Sequence, residues 1–144
     1  MQSLYTLPQI TQRIVQTIEK EKTPVFLLEG PMGVGKTFLV KTVLKEFGIN
    51  DVLSPTFVLM RVYKNHNREF AHLDLYRLRE QCNKSCDDVI EELSLFDYVG
   101  VMPSFIEWPI GIEETLHNVG FDKGLIHKIR IIVNKNQERR YEYN

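Results

Sequence analysis

The sequence predicts an α/β domain: a mixed β-sheet with flanking helices and an inserted antiparallel hairpin. Three observations carry this expectation. Val25-Phe26-Leu27-Leu28 is a continuous apolar run of strand length, as expected of a parallel strand buried on both faces. A glycine-rich segment follows it, and then apolar residues at helical spacing. Further on, two strand-like runs are separated by one short polar turn, which requires them to pair antiparallel.

The elements follow in order. Ile10, Ile14 and Ile18 recur at four-residue steps with Pro8 near the start, so residues 8–20 predict an amphipathic helix after a short extended segment. Thr23-Pro24 breaks the chain before the apolar strand. Leu39, Val40, Val43, Leu44 and Phe47 mark a second helix, with Gly48 as its stop. The hairpin strands are Phe57 to Tyr63 and Phe70 to Leu75, joined by Lys64-Asn65-His66-Asn67-Arg68. Alternation in the second strand puts Phe70, His72 and Asp74 on one face and Ala71, Leu73 and Leu75 on the other. A helical segment is expected around 87–95. A short strand, Ser104-Phe105-Ile106, then ends at Glu107. Ile126 to Val133 is the last predicted strand, and NKNQERRYEYN reads as a loose polar tail. The expected organisation is one domain over residues 1–133 and a tail over 134–144.

A chain of 144 residues has the size of one domain and can bury a proper core. Its 18 basic and 19 acidic residues leave a net charge of -1, which removes overall basicity as an argument for nucleic-acid binding. The opening MQSLYTLPQITQR lacks the features of a targeting segment, and no stretch approaches the ~20 apolar residues that span a bilayer. A cytoplasmic protein without membrane contact is expected. Cys82 and Cys86 form a CxxxC pair with no second pair to complete a metal site, so they read as solvated, reduced thiols.

The strongest signal is Gly30-Pro31-Met32-Gly33-Val34-Gly35-Lys36-Thr37. It matches G-x-x-x-x-G-K-[ST] between an apolar strand and a helix, the context a phosphate-binding loop requires. Glycines let successive N–H groups turn inward around phosphate oxygens, and the helix N-terminus adds positive partial charge. Lys36 is placed to bridge the outer phosphates, and the Thr37 hydroxyl to ligate Mg²⁺. A single P-loop NTPase-like domain follows.

Such a site needs an acidic group on the metal side and something to orient the attacking water. Glu107 ends a strand expected to run parallel to the P-loop strand, which makes it first choice for the metal-side acid. Asp74 also ends a strand, on the face shared with His72. His72 alone suits a structural histidine, and Trp108, the sole tryptophan, suits a core residue as well as a ligand platform. Thr56 in Ser54-Pro55-Thr56-Phe57 has the position of a switch threonine, although a Pro-fixed turn would look the same.

Three rivals deserve comparison. A small P-loop GTPase would order a P-loop, a switch threonine, DxxG and NKxD. Thr56, Asp97-Tyr98-Val99-Gly100 and Asn134-Lys135-Asn136-Gln137 follow that order, but Gln137 replaces the aspartate that accepts from guanine. A small-molecule kinase would need a lid with arginines over the phosphates; Arg77 and Arg79 are candidates, but no recognisable lid segment follows them. A nucleotide-gated regulatory binding module would share the site but hydrolyse slowly.

The combination of GPMGVGKT, Ser54-Pro55-Thr56-Phe57, His72-Leu73-Asp74-Leu75-Tyr76-Arg77-Leu78 and Glu107-Trp108-Pro109 resembles the TsaE family. These are small P-loop ATPases of bacterial tRNA threonylcarbamoyladenosine synthesis. The resemblance covers residues 5 to 109 and implies a sheet of mixed direction, with the hairpin interrupting the usual topology. It implies Mg-ATP binding with low intrinsic hydrolysis, and TsaB and TsaD as partners through which tRNA is met indirectly. The modified base is adenosine 37 of ANN-decoding tRNAs, and the TsaE member does not itself transfer the carbamoyl group. The implied nucleotide-binding set is Gly30, Met32, Gly33, Val34, Gly35, Lys36, Thr37, Phe38, Thr56 and Trp108. Lys36, Asp74 and Glu107 are the implied catalytic residues, and Thr37 and Glu107 the metal ligands. Which carboxylate polarises water stays open. Pro31, Met32 and Ile110 depart from the family pattern at positions that bear on partner affinity or loop dynamics rather than on phosphate contact.

Overall fold

The structure is a computed structural model that describes residues 3–56, 58–79, 91, 94–109 and 111–144. Its first helix, α1 (Leu7–Lys20), begins where Thr6 and Gln9 cap each other reciprocally and Pro8 occupies the first turn. Ile10, Ile14 and Ile18 form its buried stripe. After the break at Pro24 comes β2 (Val25–Glu29), whose first four residues are all buried. Alternation divides them between two cores. Phe26 and Leu28 pack with α1 and with α2 (Lys36–Glu46), whereas Val25 and Leu27 pack against α3 (Ile112–Asn118) on the opposite face. Burial of this kind stabilises by about 1.5–3 kcal/mol per large side chain, so β2 is the strand on which both layers depend.

Seven strands form one sheet in the order β1-β7-β6-β2-β5-β4-β3. The middle is parallel: β2 pairs with β5 (Ser104–Glu107) and with β6 (Ile126–Val133), and β5 pairs with β4 (Arg68–Asp74). Antiparallel strands close both flanks. On one, β3 (Met60–Asn65) pairs with β4; on the other, β7 (Arg139–Tyr143) joins β6 to the short β1 (Leu4–Tyr5). The expected mixed sheet with an inserted hairpin is therefore present.

The hairpin is tighter than its sequence suggests. Strand pairing continues through Asn65↔Arg68, so only His66 and Asn67 remain in the turn, and His66 adopts a left-handed φ of 52°. Its first strand begins at Met60, because the N–H groups of Val58 and Leu59 first bond back to the Pro55 carbonyl. Phe57, most of the helical segment expected at 87–95, the two cysteines and Ile110 lie outside the described residues. Of that segment's end, Leu95–Asp97 forms a single 3-10 turn.

The polar ending requires correction. Residues 134–144 are not a loose tail: Asn134–Gln137 is a hairpin turn and Arg139–Tyr143 is a strand hydrogen-bonded on both edges. Polar composition concealed a period-two pattern. Tyr141 is 1% exposed and packs into the α1–α2 core, opposite Ile131, while Glu142 and Arg130 pair on the other face. Among the described residues no helix is long and apolar enough to cross a membrane.

Candidate functional site

The phosphate loop leaves the carboxyl end of β2 and enters α2. Its backbone needs glycine at two points. Gly30 has φ 154°, and a Cβ there would stand 2.8 Å from Val34 Cγ1 and 3.3 Å from the Ile131 carbonyl oxygen. Gly35 has φ 112° as the N-cap of α2, a conformation that side chains rarely adopt. Val34 turns its side chain into the core, so within the loop it serves packing.

Lys36 is folded back over this loop. Its Nζ donates to the carbonyls of Gly30 (2.6 Å) and Pro31 (3.0 Å) and lies 4.1 Å from the centre of the Trp108 ring. Burial pulls the ammonium below the ordinary lysine range, while the charges of Glu107 and Asp74 oppose that shift. Trp108 reaches this position because the chain turns left-handed immediately after β5, with φ 56°. That conformation costs a non-glycine residue about 1–3 kcal/mol. Its ring also meets Tyr76 at a centroid distance of 5.0 Å.

The two acids arrive on adjacent strands. Register pairs Asp74 with Glu107 at the carboxyl ends of β4 and β5, beside the carboxyl end of β2. Glu107 is 3% exposed, and its Oε2 accepts from the Thr37 hydroxyl at 2.8 Å and meets His72 Nε2 at 2.5 Å. Asp74 is gripped at both oxygens: Oδ1 accepts from the Tyr76 N–H and Oδ2 from the Thr56 hydroxyl, each at 2.9 Å. Thr56 in turn meets Ser54 Oγ at 2.7 Å. The segment before β3 is thereby tied to an acid of the cleft.

Of the residues expected at the site, Met32, Gly33, Gly35, Lys36, Thr37, Phe38, Thr56, Asp74, Glu107 and Trp108 line one open cleft of about 470 Å³. Gly30 and Val34 do not line it, and Val34 lines an adjoining hollow. Three further lining residues had no assigned role in the sequence: Ser54, Tyr76 and Arg139. Ser54 and Tyr76 belong to motifs already noted. Arg139 carries no signal in the sequence, because the polar composition around it reads as a tail.

Among the described residues no group of three His, Cys, Asp or Glu side chains converges on a single point. The oxygen donors Thr37 Oγ1 and Glu107 Oε2, 2.8 Å apart, nevertheless suit a hard cation that keeps waters and shares phosphate oxygens, as Mg²⁺ does. The GTPase-like elements do not assemble. Asp97–Gly100 precedes the amino end of β5, at the opposite end of that strand from Glu107, and Asn134–Gln137 is a hairpin turn.

A glycine-rich loop between a parallel strand and a helix, faced by carboxylates from the neighbouring strands, defines a P-loop NTPase-like protein. The crystal structure of Bacillus subtilis YdiB has the same fold, with a TM-score of 0.64 and 23% identity, covering 99% of this chain and 83% of that one. Residues 1–141 match the family described as "Threonylcarbamoyl adenosine biosynthesis protein TsaE", and the chain belongs to the TsaE family. Curated relatives named "tRNA threonylcarbamoyladenosine biosynthesis protein TsaE" include one from Rickettsia felis, 33% identical over 102 residues (68% of this chain, 56% of that protein). Another, from Bacillus subtilis, is 32% identical over 113 residues (76% and 66%). The match with the Rickettsia felis protein thus spans little more than half of that relative's length.

Proposed function

We propose that this protein is a Mg²⁺-dependent ATPase of the cytoplasm that serves N6-threonylcarbamoyladenosine formation at position 37 of tRNA, acting with TsaB and TsaD partners. The observation that carries the enzymatic part is the meeting of Thr37 and Glu107 beside the phosphate loop, with Asp74 on the next strand. Family membership and the names of the relatives support the pathway.

The roles follow from the contacts. Lys36 exchanges the Gly30 and Pro31 carbonyls for the outer phosphates, a stronger charge-assisted partner. Thr37 and Glu107 hold the cation, which when bound supplies positive charge to the phosphate oxygens. Asp74, fixed by Thr56 and Tyr76, orients the water. The left-handed turn at Trp108 holds its ring against the Lys36 ammonium.

The test is Mg-ATP and Mg-GTP turnover, with and without purified TsaB–TsaD. ATP hydrolysis stimulated by the partners is expected, lost in Lys36→Ala and cut more in rate than in affinity in Glu107→Ala. Unchanged binding and turnover in Lys36→Ala would overturn the phosphate-site reading, and a GTP preference indifferent to the partners would favour a GTPase.

A further inference from the structure

The sheet order decides which way a nucleotide lies. Glu107 and Asp74 stand on β5 and β4, on one flank of the P-loop strand β2. A nucleotide whose outer phosphates face those acids directs its base to the other flank, where the β6–β7 hairpin stands. Two exposed side chains meet there. Phe38, in the first turn of α2, leaves 47% of its surface in solvent, unusual for a large apolar ring. Arg139, the first residue of β7, lays its guanidinium 6.0 Å from the centre of that ring. Its Nε is 3.3 Å from the point a Cβ on Gly35 would occupy, so the guanidinium runs along the outer wall of the phosphate loop.

Arg139 and Gly33 also separate two adjoining hollows. One is the cleft of the acids. The other, about 480 Å³, is lined by Leu7, Val34, Val133, Gln137 and Tyr141 and holds no carboxylate. Its polar side chains besides Arg139 are the Gln137 amide, which both donates and accepts, and the Tyr141 phenol, whose hydroxyl has no hydrogen-bond partner among the described residues. A mostly polar hollow lined by an amide and a flat cation fits a heteroaromatic ring with mixed donors and acceptors. It offers no carboxylate to the paired N–H groups of guanine.

We propose that Phe38 and Arg139 form the platform that holds the adenine ring, with the guanidinium stacked on the base. The proposal rests on the P-loop nucleotide reading above and adds the base-holding residues. Arg provides a planar face for stacking that Lys lacks, and stacking of one base on such a platform changes affinity by about tenfold to a hundredfold.

The experiment is calorimetric binding of Mg-ATP and of inorganic tripolyphosphate, which has the phosphates but no base. Wild type is compared with Arg139→Ala, Arg139→Lys, Phe38→Ala and Lys36→Ala. Arg139→Ala and Phe38→Ala should each weaken ATP about tenfold or more and leave tripolyphosphate within about twofold, and Arg139→Lys should resemble Arg139→Ala. Equal losses on both ligands would make Arg139 a phosphate clamp and overturn the proposal, as would unchanged ATP affinity. Lys36→Ala should weaken both ligands; if it weakens neither, the phosphate-site reading fails, independently of the platform. Phe38 and Arg139 sit on different elements and are solvent-exposed, so a folding defect in one variant leaves the other to decide.

Discussion

His72 Nε2 stands 2.5 Å from Glu107 Oε2, the same oxygen that accepts the Thr37 hydroxyl. Both side chains are sealed from solvent, so the histidine fixes the direction in which the free oxygen of Glu107 points. His72→Ala should cost about 1–3 kcal/mol of stability by leaving a buried carboxylate short of a partner. It should also lower turnover more than nucleotide affinity, with partial recovery in His72→Gln, whose amide can still donate. Urea unfolding and steady-state hydrolysis check this, and wild-type values in both would show that His72 does not position Glu107.

Thr56 reaches across to Asp74 from the segment before β3. Thr56→Val removes that hydroxyl at nearly constant volume. Stability should fall by about 1 kcal/mol, and hydrolysis by about tenfold or more if Asp74 orients the water. Nucleotide affinity should move little. A loss in affinity equal to the loss in rate would place Thr56 in ground-state binding instead.

Lys36 gives a pH dependence whose sign can be worked out. Its folded-state pKa is lowered by burial against the opposing pull of Glu107 and Asp74. Between the folded value and the ordinary lysine value, the unfolded chain binds more protons, so stability rises with pH across that window. Lys36→Met lacks this term. The stability of wild type relative to Lys36→Met should therefore increase as the pH rises towards the ordinary lysine value of 10.5. Burial pushes Tyr141 and Tyr143 in the direction that makes stability fall at still higher pH, but both tyrosines remain in either protein and cancel in the difference. Denaturant melts at several pH values would show it, and a flat or shrinking difference would contradict it.

Tyr141 anchors the last strand in the α1–α2 core. Tyr141→Ala should cost about 3–5 kcal/mol, as other large buried aromatics do. Stopping the chain after Glu138 should abolish the cooperative melt, because β6 would lose its outer, antiparallel partner and β1 would have nothing to pair with. A truncated chain that melts like the whole protein would refute the structural role of β7.

Most of the candidate site was legible because its residues are contiguous: the eight positions from Gly30 to Thr37 declare both the loop and the helix after it. Asp74 and Glu107 were legible for another reason. Each ends a short strand, and alternation alone puts Asp74 on the face of His72. What escaped was pairing between distant segments. Arg139, Glu142 and their neighbours look like solvated tail until Ile131 and Tyr5 are placed beside Tyr141. The left-handed backbone of Trp108 was equally hidden, since it is imposed by packing under Lys36 and not by local preference.

Val25 pairs with both Ser104 and Ile126, so the central strand waits for partners from far down the chain. Closing such long loops comes before any reward from pairing, which slows folding relative to proteins with local contacts. A ribosome making this protein releases the complete phosphate loop early, yet the acids that face it, and the arginine beside it, emerge much later. Nucleotide capture of the kind proposed would therefore be a late event in biosynthesis, and a nucleotide bound at that moment would act as a ligand that draws the last strands into place.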